Sequence, residues 1–112
     1  MLIVTTEKVE GKKISKVLGL VRGSTIRAKH VGKDIGASFK NLVGGDLTGY
    51  NEMLTEARQI AIGRMVEDAE AKGANAVIAF RLSSASVMQG AAEMLAYGTA
   101  VVLEDDNSIL EK

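Results

Sequence analysis

Three glycines, Gly44, Gly45 and Gly49, stand just ahead of a helical pattern in the stretch LVGGDLTGYNEMLTEAR, residues 42–58. Glycines before a helix can cradle a phosphate, because the free backbone amides of the first turn attract anions. The companions that such a site needs are missing. No two glycines are spaced G-x-G, so the dinucleotide fingerprint is not assembled, and no Lys-Ser or Lys-Thr follows to make a nucleoside-triphosphate loop. Asp46 can supply the negative charge from within the chain, and Asp46 or Thr48 can cap the helix. The stretch is therefore read as a joint, with glycines that adopt positive φ.

His30 is the only histidine. As a general base it would need an orienting partner, and Asp34 lies four residues on, across a turn at Gly32. As a metal ligand it would need companions, and a chain without cysteine offers only carboxylates, gathered from other subunits. The plainer reading is a solvated residue at a strand end, so no metal ligand is assigned. Ser83, Ser84 and Ser86 cluster three hydroxyls, but no elbow motif or adjacent base activates them. They are read as loop or bulged-strand residues, and no catalytic residue is assigned. Glu93 and Tyr97 stand four apart on a strand and so share a side. They are either polar contacts at a subunit interface or channel, or a hydrogen-bonded pair within a sheet. Arg58 and Arg64 are expected to make surface or intersubunit pairs.

The elements that position these residues follow from composition and periodicity. The 112 residues are 46% hydrophobic and 25% charged, an ordinary globular balance for one domain spanning 1–112. Aromatics are only 4%, so the core must be built from Val, Ile, Leu, Ala and Met. Absence of cysteine excludes disulfides and thiolate chemistry, and absence of proline excludes proline-rich recognition segments. MLIVTTEKVE meets charge after too few apolar residues for a signal core, and no apolar run approaches the ~20 residues that span a bilayer. A cytoplasmic protein without membrane contact is expected.

Net charge is zero, yet residues 1–45 carry +6 and residues 46–112 carry −6. Such a split can mark a nucleic-acid face, a basic part meeting another copy's acidic part, or two halves that pack together. The charges are dispersed and lack an aromatic stacking platform, so nucleic acid is not expected as a partner.

Leu2–Thr6 reads as a β-branched strand, the residues around Gly11 as a turn, and Ile14–Val21 as a buried strand. Gly23 reads as a break before a strand over Thr25–Val31. Ile35, Phe39 and Leu42 fall at helical spacing, which predicts a short amphipathic helix. The strongest pattern runs from Tyr50 to Lys72, with Met53, Leu54, Ala57, Ala61, Met65 and Ala69 in one stripe widened by Ile62 and Val66. Acids in the first turn, Lys72 in the last and Gly73 as a stop complete that helix. Ala74–Leu82 and Glu93–Glu104 read as strands around a turn at Met88–Gly90, and the tail DDNSILEK is polar. Neither strand alternates cleanly, as expected where both faces are covered. One long helix covers about one face, so a second copy is the simplest cover for the rest, and a homo-oligomer is expected.

As a set, MLIVTTEKVEG, VLGLVRGSTIRAKHVGKDIGASFKNLVGGDLTGYNEMLTEAR, AKGANAVIAFRL and EMLAYGTAVVLE resemble the YbjQ-like family of uncharacterised bacterial and archaeal proteins, also labelled a "putative heavy-metal-binding domain". The resemblance runs from Ile3 to about Val102. It implies an α+β unit with one long and one short helix packed on a mostly antiparallel sheet, extra short strands tying subunits together, and a ring-shaped homopentamer. Gly44, Gly45, Asp46 and Tyr50, and Tyr97, Gly98 and Thr99, match family motifs as structural elements. The family supplies no reaction, so the reading is a non-enzymatic homo-oligomer, without a cofactor, that has an assembly or ligand-binding role. The alternative is a metal-binding module with carboxylates and His30 between subunits, and a small ligand or metal ion stays open as a partner.

Overall fold

A computed structural model describes residues 1–28 and 48–107. The expected short helix over Ile35–Leu42, His30, Asp34 and the Gly44–Asp46 joint lie outside the described residues.

The elements run β1 (Leu2–Ile3), β2 (Lys12–Ala28), α1 (Thr48–Ala71), β3 (Ala76–Met88) and β4 (Ala91–Asp105). The strands form one sheet in the order β1-β3-β4-β2, in which β1 is parallel to β3 and the other pairings are antiparallel. The result is an α+β arrangement of one helix on a four-stranded mixed sheet.

The helix forms where the stripe predicts it. Met53, Ala57, Ala61, Met65 and Ala69 recur every fourth residue and are all buried, the last four against Val21, Val77, Met94, Ala96 and Ala100 of the sheet. Gly73 ends the helix with φ of 84°, and its amide donates to Glu70 O at 3.0 Å. The expected dipole charges are absent: neither the first nor the last turn carries the matching charge. Lys72 lies just past the end and pairs instead with Asp68 at 2.7 Å.

Two sequence expectations are corrected by β2. The Ile14–Val21 and Thr25–Val31 segments are not separate strands, because a single 17-residue strand runs through Gly23 without a break. Ile14–Val21 is buried only in part: Val21 is fully buried and Leu18 half-buried, whereas Ile14, Val17 and Leu20 are exposed on this edge strand. Gly23 is there for another reason. A Cβ built on it would sit inside van der Waals contact of the Ala61 carbonyl oxygen and the Met65 amide nitrogen, so the helix backbone lies directly on the strand. Only a residue without a side chain allows that approach.

The N-terminal segment continues past β1. Val4 N–H donates to Val77 O at 2.9 Å, Phe80 N–H to Val4 O at 3.0 Å, and Ala79 N–H to Thr6 O at 2.9 Å. The segment then crosses the sheet face opposite the helix, where Val4 and Val9 pack on Ala76, Ile78, Val101 and Leu103. Thus the end of β4 is covered on both faces, which explains its unbroken apolar sequence. The rest of β4 alternates, with Ala92, Met94, Ala96, Gly98 and Ala100 buried and the residues between them half-buried. The β3–β4 turn falls where the sequence placed it, but both strands extend further than expected. Ser83, Ser84 and Ser86 belong to β3.

Gly23→Ala is expected to destabilise the fold by about 1–3 kcal/mol or more, since a rigid backbone, not a flexible side chain, must yield. Urea unfolding of the variant measures it.

Candidate functional site

Among the described residues, the sheet face turned away from α1 is covered by Val4 and Val9 at one end and by no other element over the remainder. Cross-strand partners define its rows. Arg22, Tyr97 and Arg81 stand side by side on β2, β4 and β3; Ser24, Leu95 and Ser83 form the next row, and Ile26, Glu93 and Ala85 the one after. Leu20 opposes Thr99. A shallow groove of ≈ 320 Å³ lined by Leu20, Arg22, Ser83, Leu95 and Tyr97 lies in the middle of this face. Leu20 and Ile26 are 65% and 62% exposed, so the groove is flanked by large apolar side chains in contact with water.

A backbone irregularity sets the middle row. Between Ile78 and Arg81 the β3–β4 register slips, and Ala79 takes a φ of 53°, rare for a residue with a side chain. The extra residue brings Arg81 opposite Tyr97. Arg81 Nη1 then donates to Thr5 O at 2.9 Å and Phe80 O at 2.8 Å, tying the N-terminal segment to the bulge. A second groove, ≈ 970 Å³, runs beneath that segment between Thr5, Lys8, Arg81 and Leu103.

The opposite edge of the face is finished by the helix. Arg22 N–H points out of the sheet and donates to Asp68 Oδ2 at 3.3 Å, while Arg64 Nη1 donates to Ser24 O at 2.6 Å. Arg64 therefore caps a strand carbonyl of β2. The hydrogen bond from Lys72, helped by the Arg22 amide, holds the Asp68 carboxyl below the ordinary aspartate pKa of 3.8. At the far end of β2, Lys12 likewise lowers Asp105 through a hydrogen bond.

Glu93 and Tyr97 share the open face, as the two-residue period requires, but they are not hydrogen-bonded to each other. Gly98 turns to the helix side and Thr99 to the open side in mid-β4. Arg58 lines a small groove with Leu54, Ser83, Ser84 and Ser86, and no described base reaches those hydroxyls. Arg22 and Arg81 were not singled out from the sequence, because only the register, including the Ala79 bulge, brings them to Tyr97. Among the described residues no three His, Asp or Glu side chains gather in a way that could hold a metal ion. Among them, too, no helix is long and apolar enough to cross a membrane.

These features define a small two-layer α+β domain with an apolar, partly uncovered sheet face and no assembled catalytic group among the described residues. Residues 1–104 match the family model described as "putative heavy-metal-binding" (YbjQ), and the chain belongs to that family. It is 99% identical over its whole length to a UPF0145 protein of Clostridioides difficile (strain 630), which it covers completely. It is 57% identical to a UPF0145 protein of Halalkalibacterium halodurans, over 95% of this chain and 100% of that one. The fold is similar to the crystal structure of a DUF74-family protein of unknown function from Pediococcus pentosaceus, with a TM-score of 0.58 at 17% identity over 93% of this chain and 98% of that one.

Asp68→Asn is expected to cost less than about 1 kcal/mol, because the Asp68–Lys72 pair is solvent-exposed. A lowered carboxyl pKa adds stability above pH 3.8 that is lost as pH falls through the folded-state value. The gap between wild type and variant in thermal unfolding should therefore be present at pH 7 and close below pH 3.8.

Proposed function

We propose that this chain is a non-enzymatic, cytoplasmic subunit that works as a homo-oligomer, with the open sheet face covered by another copy. Its role is assembly or the binding of a small ligand between subunits. A ring of five copies is the arrangement that the family resemblance implies. The observation that supports the reading is the open face itself, where Leu20 and Ile26 flank a groove floored by Leu95 and Tyr97. Large apolar side chains grouped on a sheet face mark an interaction surface more often than a free one. The dimensions agree. The described residues extend 63 × 26 × 16 Å with a radius of gyration of 18.5 Å, against about 13 Å for a compact domain of this length. A chain drawn out in this way buries its long strands by association.

The family's own description names heavy metals. His30, which that reading needs, lies outside the described residues, and the described carboxylates do not gather into a site. Assembly therefore stands as the primary role.

Light scattering on purified protein at micromolar concentration is expected to give a mass several times 11.8 kDa. Leu95→Glu, which places a charge in the groove, should lower that mass while leaving the far-ultraviolet spectrum unchanged. A wild-type monomer overturns the proposal.

A further inference from the structure

Two register slips in β2, at Ser15 and Leu18, each insert one extra residue, and Gly19, with φ of 104°, allows the second. Nothing crowds Gly19, so its φ alone calls for glycine there. The slips re-phase the strand. Ile14, Val17 and Leu20, three residues apart, come to stand opposite Leu103, Val101 and Thr99, which are every second residue of β4. All three therefore lie on the face turned away from α1. They are 41%, 65% and 65% exposed, so the bulges set a stripe of branched apolar side chains in water.

The stripe connects the two grooves of this face. Ile14 lines the groove of ≈ 970 Å³ beneath the N-terminal segment, together with Val9 and Leu103. Leu20 lines the groove of ≈ 320 Å³ in the middle of the face, together with Leu95 and Tyr97. Val17 stands between them on β2. From Leu103 to Tyr97 the path along β4 is about 20 Å, at ~3.4 Å per residue.

The Tyr97 end of the path is cationic, with Arg22 and Arg81 on either side. Arg81 commits Nη1 to Thr5 O and Phe80 O, which fixes its guanidinium beside the N-terminal segment. Its Nε and Nη2 donors have no acceptor among the described residues. Nor, among them, does the Arg22 guanidinium or the Tyr97 hydroxyl have a hydrogen-bond or ion-pair partner. Asp68 feels the Arg22 charge but pairs with Lys72. At the Leu103 end the charges offset one another, Glu7, Glu10 and Asp106 against Lys8, Lys12 and Lys13. Glu93 lies two rows away from the arginines, on the side remote from the stripe.

We propose that this path is a binding site for a free fatty acid. The chain lies along Ile14, Val17 and Leu20, and the carboxylate is held by Arg22, Arg81 and the Tyr97 hydroxyl. The assignment names a ligand class for the small-ligand role proposed above and rests on that role, not on the number of copies. Charge selects the occupant. A guanidinium anchored through Nη1 presents its Nε–Nη2 edge, a planar fork that matches two carboxylate oxygens. An apolar floor with a few polar groups gathered at one end suits a molecule that is apolar along its length and anionic at its tip. A cationic amphiphile would be repelled by both arginines.

Isothermal titration of the full chain with octanoate, decanoate and dodecanoate, each below its micelle concentration, tests the site. Saturable binding at one site per chain is expected, tighter by up to about fourfold for each added methylene. Dodecyltrimethylammonium is expected not to bind. Val17→Asp, on the exposed stripe, and Arg22→Gln, at the head-group end, are each expected to weaken dodecanoate binding about tenfold or more. Circular dichroism checks that both fold, and Val17→Ser replaces Val17→Asp if it does not. The proposal is overturned by the absence of saturable binding, by affinity indifferent to chain length, by equal binding of the ammonium, or by a folded variant that binds as well as wild type. Light scattering on the same samples separates the two readings. Binding by a monomer keeps this site and overturns the assembly; an oligomer that binds none of the three acids overturns this site and leaves the assembly standing.

Discussion

A helix of 24 residues is about 36 Å long and one helix wide, and it shields one face of a sheet, no more. Every other feature of this chain follows from how that limit is met. The helix lies over β2 and β4. The N-terminal segment, tied down by Arg81 and the Ala79 bulge, folds under the sheet and covers the far ends of β3 and β4 through Val4 and Val9. What remains is the middle of the second face, with Leu20, Ile26, Leu95 and Tyr97. The chain has no further described element to place there.

The closeness of the helix to the sheet is the second determinant. An aromatic-poor core is usually thin, and here it is thin by construction. Ala57, Ala61 and Ala69 meet Ala96 and Ala100, and Gly23 lets two backbones touch. Small side chains gain little from burial individually, so the packing relies on close approach and on the larger Met65, Val21, Val77 and Val101.

Much of this was legible in the sequence. The stripe from Met53 to Ala69 gave the helix within two residues, because a period of 3.6 sustained over more than four turns has few alternatives. The two-residue period correctly placed Glu93 and Tyr97 on one side. The family pattern and the α+β class were legible too. Gly23 was misread as a break because a glycine in a strand signals either a bend or a close approach, and only the packing partner distinguishes them. Ile14–Val21 was read as buried throughout, whereas on this edge strand only Val21 and, in part, Leu18 reach the core, and apolar composition does not tell which residues of a strand do. The Arg22–Tyr97–Arg81 row was illegible, since it depends on a bulge at Ala79 that no glycine or proline announces.

The rest depends on the proposal that another copy covers the open sheet face. Backbone amide hydrogen exchange, followed over a dilution series, reads it most directly. The β4 amides from Glu93 to Thr99, beneath the open face, are expected to exchange more slowly at high concentration than on dilution, while the helix core around Ala61 and Met65 stays protected throughout. Exchange at those amides that does not change with concentration, with the helix equally protected, would contradict it.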